Sequence, residues 1–103
     1  MIQIYPNWIP FFSVIICTYN RANLLPRALD SLLTQTYRNF EVLIIDDGST
    51  DDTYSVAKKY LNEDFSIRYF YHKNRGLPLS RNVGILAAVG KFIKFLDSGD
   101  EYA

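Results

Sequence analysis

Four short runs rich in β-branched and aromatic residues, each separated from the next by enough chain to hold a helix, constrain this sequence more than anything else in it. Ser13-Val14-Ile15-Ile16-Cys17 and Phe40-Glu41-Val42-Leu43-Ile44-Ile45 are almost wholly apolar, as strands covered on both faces must be. Ile67 to Tyr71 is interrupted by Arg68, and Lys91 to Leu96 alternates partly through Lys91 and Lys94, so these two belong nearer the sheet edges. Leu24, Leu25, Ala28, Leu29, Leu32 and Leu33 share one helical stripe and predict a helix from about Asn23 to Gln35, with Pro26 tolerable only in its first turn. Ser49, with Asp52 three residues on, reads as a capping signal for a second helix from about Asp51 to Leu61. Gly76 and Pro78 open a third, which stops before Gly90 and carries Gly84, Ala87 and Ala88 for close packing. The order βαβαβαβ with right-handed crossovers predicts an α/β fold, a parallel sheet in the order 3-2-1-4 with helices on both faces.

The 103 residues allow one domain, and a composition 49% hydrophobic excludes intrinsic disorder. Eleven basic residues balance eleven acidic ones, which leaves no positive field for a nucleic acid. The single cysteine, Cys17, and single histidine, His72, exclude an internal disulfide, a His/Cys zinc cluster and a Cys-His nucleophile pair. No run approaches the ~18 apolar residues of a membrane span, and the apolar start around Trp8 lacks a basic leader and is broken by Pro6 and Pro10. The expected setting is a reducing cytoplasm, in bulk or at the inner face of the membrane.

In a sheet of this kind ligands sit beyond the carboxyl ends of the strands, where the winding reverses between strands one and four. Strand one ends in Thr18-Tyr19-Asn20-Arg21, strand two in Asp46-Asp47-Gly48-Ser49, and strand four in Asp97-Ser98-Gly99-Asp100-Glu101. Seven of the eleven acidic residues follow strands two and four, a placement that like-charge repulsion disfavours unless cations, helix ends or hydrogen-bond donors compensate. Helix capping accounts for Asp51 and Asp52 but poorly for Asp47 and Asp97. Lys73, Arg75 and Arg81 approach the same edge after strand three, either as solvated charges or as partners of an anion. His72 reads as a satisfied structural residue, and the Tyr19 ring either stacks on a ligand or closes the core. Neither G-x-G-x-x-G nor G-x-x-x-x-G-K-[ST] is present, so no Rossmann or P-loop phosphate cradle exists.

Ser13 to Arg21, Gln35 to Glu41, Asp46 to Asp51, Asn74-Arg75-Gly76, Ser80-Arg81-Asn82-Val83-Gly84 and Phe95-Leu96-Asp97-Ser98 together resemble the family 2 glycosyltransferases of the GT-A fold. The resemblance covers nearly the whole chain from Phe12 to Tyr102. It implies the donor-binding half of a glycosyltransferase: a Rossmann-like, three-layer site for a nucleotide-diphosphate sugar, UDP-linked by expectation. Thr18 and Tyr19 would frame the base, with Asn20 beside them, Asp47 would hydrogen-bond its edge and Asp46 would support that turn. Arg81 would lie near the diphosphate, and Asp97 with Ser98 would open a D-x-D motif carrying ribose and metal. The implied cofactor is a divalent cation, Mg²⁺ or Mn²⁺, on Asp97 and Asp100, and the implied acceptor is a saccharide or a lipid-linked molecule.

Two departures from the family pattern bear on this. The motif reads Asp97-Ser98-Gly99-Asp100 where the family has Asp-Ser-Asp-Asp, so either Asp100 replaces the missing ligand or Gly99 weakens metal binding. The chain also stops just past the motif, and no residue in it is assignable as the general base, so the 103 residues alone are expected to transfer no sugar. A non-catalytic nucleotide-sugar-binding module is the alternative. A phospho-accepting receiver-like domain is disfavoured, because its acidic pair would follow strand one, which here ends in Thr18-Tyr19-Asn20. The apolar fourth strand, left as an edge, is expected to support a homodimer.

Overall fold

In the computed structural model the structure describes residues 9–64 and 66–97. The elements are β1 (Phe12–Thr18), α1 (Leu25–Leu33), β2 (Phe40–Asp47), α2 (Thr53–Glu63), β3 (Ile67–His72), α3 (Leu77–Ala87) and β4 (Phe92–Asp97). The strands form one sheet in the order β3-β2-β1-β4, with all three pairings parallel, as the sequence predicts.

The apolar runs of β1 and β2 are buried on both faces because the pleat sends alternate side chains to different layers. Val14, Ile16, Val42 and Ile44 meet Leu25, Ala28, Leu29 and Leu32 of α1 and Ala57 of α2. Ile15, Leu43 and Ile45 face the other way and pack with Val83 and Ala87 of α3. The small residues of α3 have the expected effect at Gly84, where an added Cβ would lie 2.6 Å from Cγ2 of Ile15. The helix therefore sits closer to the sheet there than any larger residue permits.

Helix ends differ from the sequence reading for local reasons. The α1 helix begins at Leu25, after a turn in which the Leu24 and Leu25 amides both bond to the Arg21 carbonyl, and Pro26 falls in its first turn. Ser49 and Asp52 do not cap α2. The Asp51 carboxylate does so instead, accepting the Thr53 amide at 3.0 Å, while the Ser49 hydroxyl accepts the Asn20 amide at 2.8 Å. As expected, β3 and β4 are the outer strands.

Candidate functional site

A cavity of about 180 Å³ opens at the carboxyl ends of β1 and β2, beside the first turn of α3. Its walls are Cys17, Thr18, Tyr19, Arg21, Asp47, Leu77 and Ser80. This is the position expected for a ligand in a doubly wound sheet, next to the reversal between β1 and β4. A smaller hollow of about 50 Å³ at the opposite end is lined by Phe12, Val14, Leu32, Gln35, Tyr37, Phe40 and Lys94. Its polar groups are the Gln35 amide, the Tyr37 hydroxyl and the Lys94 ammonium, among otherwise apolar walls.

The adjacent acids of β2 do not act as a pair, because neighbouring strand residues point to opposite faces. Asp46, 1% exposed, uses Oδ1 to accept the Ser49 amide at 2.9 Å and Oδ2 to accept the Tyr69 hydroxyl at 2.5 Å. Burial, together with that bond to Asp46, pushes the Tyr69 phenol well above its ordinary range, so it remains a donor. Asp46 thus braces the turn after β2. Asp47, 7% exposed, lines the cavity and accepts the Arg75 amide at 2.7 Å on Oδ1 and the Gly76 amide at 3.0 Å on Oδ2. Its carbonyl accepts Asn74 Nδ2 at 3.1 Å, so one residue organises the whole segment after β3. Gly48 lets that segment approach: its φ is +80°, and a Cβ there would stand 2.5 Å from the Asn74 amide nitrogen.

Asn20 belongs to the framework. At a φ of 50°, its Oδ1 accepts the amides of Thr50 at 2.7 Å and Asp51 at 3.2 Å, tying the loop after β1 to the loop after β2. Asp51 completes the tie by accepting the Ala22 amide at 3.2 Å. Burial alone raises the Asp51 carboxyl, but the bonds from the Thr53 hydroxyl and from the Ala22 and Thr53 amides outweigh it and hold the group below its ordinary value. A carboxyl depressed by folding stabilises the native state above its unfolded value, and that contribution is lost as pH falls through the folded one. Asp51→Ala is expected to cost about 1 kcal/mol at pH 7, as loss of a helix cap does. The difference from the parent in urea unfolding should shrink in acid below about pH 4, where a carboxylate becomes neutral.

Thr18 is 3% exposed, and its Oγ1 is buried without a hydrogen-bond partner among the described residues. Tyr19 is 45% exposed at the cavity mouth. The structure brings Thr18, Tyr19 and Asp47 together and sets Asn20 and Asp46 behind them. Arg81 stands elsewhere on α3, its guanidinium 5.3 Å from the centroid of the Phe95 ring. Asp97 ends β4 opposite Cys17, and its side chain, with Ser98, Gly99 and Asp100, lies outside the described residues. Among the described residues no group of three or more His, Cys, Asp or Glu is placed to hold a metal ion. No helix among them is long and apolar enough to cross a membrane.

Cys17, Arg21, Leu77 and Ser80 are wall residues that the sequence does not assign to the site, and Ser80 is the buried polar one among them. Its signal was the spacing of three from Leu77, which puts both on one side of the first turn of α3. His72 is satisfied, as expected, by the Lys73 carbonyl and the Ser80 hydroxyl.

The family model described as Glycosyl transferase family 2 matches residues 13–103. An uncharacterized glycosyltransferase of Rickettsia felis is 54% identical over 88 residues, which are 85% of this chain and 14% of that protein. The GalNAc(5)-diNAcBac-PP-undecaprenol beta-1,3-glucosyltransferase of Campylobacter jejuni is 39% identical over 94 residues, 89% of this chain and 30% of that protein. Among solved structures, TarS 1-349 of S. aureus in complex with UDP-GlcNAc superposes with a TM-score of 0.82 at 38% identity, covering 87% of this chain and 27% of that one. The mannosyltransferase PcManGT of Pyrobaculum calidifontis, in complex with GDP-Man and Mn²⁺, gives 0.84 at 26% identity over 94% of this chain and 30% of that one. The chain therefore spans less than a third of the length of each of these proteins.

Proposed function

The chain belongs to glycosyl transferase family 2 and has the GT-A fold, and from that premise we propose that it is the donor-binding part of a glycosyltransferase, taking the nucleoside diphosphate of a sugar donor in the cavity at the ends of β1 and β2. The observation that carries this reading is the Thr18 hydroxyl, buried and unpartnered among the described residues on the cavity wall. A buried polar group without a partner costs about 1–3 kcal/mol, which a ligand group filling the cavity would recover. Tyr19 offers a ring for stacking on a base. The Asp47 oxygens each retain a lone pair after accepting one amide, so they can take a base or ribose donor. Arg21 on the same wall is the cation nearest to hand for phosphate. Arg81 would join it only by leaving Phe95. UDP is favoured as the nucleotide because TarS, 38% identical, was solved with UDP and with UDP-GlcNAc.

Mg²⁺ or Mn²⁺ on Asp97 and Asp100 belongs to the same proposal, and when bound it would neutralise charge on the departing diphosphate. The acceptor in this proposal is a saccharide or a lipid-linked molecule. Gly99 in the metal motif favours a second reading, a non-catalytic nucleotide-sugar-binding module. The metal dependence of UDP binding separates the two: the donor-binding part should bind UDP more tightly with Mn²⁺, the module equally with and without it.

Calorimetric titration with UDP tests the cavity. Binding is expected, and Tyr19→Ala should weaken it about tenfold, the loss of one base–aromatic stack. Equal affinity in the two proteins would show that the base lies elsewhere.

The proposal also includes a second copy of the chain on the β4 edge. Among the described residues β4 pairs with β1 alone, and Phe92, Ile93 and Phe95 are 55%, 40% and 46% exposed. Light scattering at high micromolar concentration should report a dimer; a monodisperse monomer refutes the pairing.

A further inference from the structure

His72 lies where three elements meet at the cavity. Its Nδ1 is 2.7 Å from the Lys73 carbonyl, its Nε2 is 3.0 Å from Oγ of Ser80 on α3, and Oδ1 of Asp47 on β2 is 3.5 Å from Nδ1. A carbonyl only accepts, so the Nδ1 proton is fixed there, and Nε2 of the neutral ring is a lone pair. The Ser80 hydroxyl therefore donates its proton to Nε2. Ser80 is fully buried and is itself a wall of the cavity, so with its proton committed to His72 it offers a ligand lone pairs only.

We propose that Ser80 is a ligand-contacting residue of the cavity and that His72 is the positioning residue that sets it as an acceptor, selecting ligand groups that carry N–H or O–H, such as a base imide or a ribose hydroxyl. The inference rests on the donor reading of the cavity. Proton uptake by the imidazole reverses the arrangement: Nε2–H donates to Oγ of Ser80, and the freed hydroxyl proton turns the same atom into a donor toward the ligand. The charged groups around the ring are few. From β2 there is the Asp47 carboxylate, which an imidazolium would pair with. From the segment after β3 there are Lys73 and Arg75, both exposed, and from α3 the Ser80 hydroxyl bonds to the ring while the Arg81 guanidinium is engaged over Phe95. Acidification thus keeps the ring in place on Asp47 and the Lys73 carbonyl and changes what Ser80 presents.

Two measurements on the 103-residue chain test this: ¹⁵N spectra of the His72 ring without ligand, followed from pH 8 downward until the ring takes up its second proton, and UDP titration at pH 8 and at the acid pH those spectra give. The ring should show the Nδ1–H tautomer. Parent affinity should fall on acidification about fivefold more than that of His72→Gln, whose side-chain amide oxygen reaches the Nε2 position as a non-titrating acceptor. Ser80→Ala should bind about fivefold more weakly than the parent at pH 8 and lose the additional acid effect. His72→Asn, which keeps a donor to the Lys73 carbonyl but withdraws the acceptor from Ser80, should behave at pH 8 as the parent does in acid. An Nε2–H tautomer, or Ser80→Ala binding like the parent at both pH values, overturns the assignment. A parent that binds no UDP overturns the donor reading itself, and the ring spectra, which need no ligand, tell that outcome from the other.

Discussion

Replacing Glu41 with alanine is expected to remove about 2–6 kcal/mol of folding free energy, about 1–3 kcal/mol for each of the two buried donors that it strands. The residue is 2% exposed within β2, at the end of the sheet away from the cavity. Its Oε2 accepts the Ser13 hydroxyl at 2.6 Å and the Val89 amide at 2.8 Å, and its Oε1 accepts the Arg68 guanidinium at 2.8 Å. Ser13 Oγ in turn accepts the Gly90 amide at 2.8 Å, and Arg68 also donates to the Ala87 carbonyl at 2.8 Å. One carboxylate therefore joins β1, β2 and β3 to the connection between α3 and β4. Gly90 runs so close to β1 that an added Cβ would stand 2.7 Å from the Phe12 carbonyl carbon. Arg68, its side chain 40% exposed, can turn to water, so the stranded groups would be the Ser13 hydroxyl and the Val89 amide. Glu41→Gln keeps the shape and one acceptor and should cost less, about 1–3 kcal/mol. Since small domains hold roughly 5–15 kcal/mol in all, the alanine variant should be marginal. Urea unfolding with an unchanged m-value checks this, and an alanine variant within 1 kcal/mol of the parent would refute the network's role.

Glu41 also shows where the sequence stops being legible. The run Phe40 to Ile45 is apolar apart from it, which marks a buried strand correctly, but nothing local says that the lone charge is buried too. Its partners come from positions 27, 28 and 48 residues away. The strand order, the two-sided burial of β1 and β2 and the close approach at Gly84 are all readable, the first from the βαβ repeat, the second from the unbroken apolar runs and the third from the small residues of the third helix. The assignment of Asp46 and Asp47 to opposite faces needs a further fact, which helix covers which face, and that is set by the crossovers. Asn20 carries a similar lesson. Beside Tyr19 it reads as a site residue, but its left-handed backbone turns its amide toward the loop after β2, where the donors are the amides of Thr50 and Asp51. The Ser80–His72 pair spans eight residues and a change from strand to helix, so no single periodicity reveals it.

Asp47→Ala is expected to abolish measurable UDP binding, a loss of at least about a hundredfold, while leaving the sheet folded. The carboxylate has two functions at one point. It faces the cavity, and it accepts the amides of Arg75 and Gly76, whose φ of 96° the turn requires before α3 can begin at Leu77. Truncation strands both amides, at about 1–3 kcal/mol for each that water does not reach, and frees the segment that carries His72's partner Lys73 and leads to Ser80. Asp47→Asn separates the two functions. Its amide keeps one acceptor oxygen and sets an N–H₂ against the other backbone donor, so the segment should be partly retained while a ligand donor meets a donor instead of a lone pair. Calorimetry should then rank the parent above Asp47→Asn and Asp47→Ala, with both variants more than about tenfold weaker, since the lost contact is charge-assisted. Hydrogen exchange at the Arg75 and Gly76 amides should be fast in the alanine variant and nearer the parent's in the asparagine one, whose segment is partly retained although its UDP affinity is not. If the asparagine variant loses UDP affinity only in proportion to its loss of amide protection, Asp47 acts on the ligand only by shaping the segment after β3; if the alanine variant binds UDP as the parent does, the nucleotide lies outside this cavity.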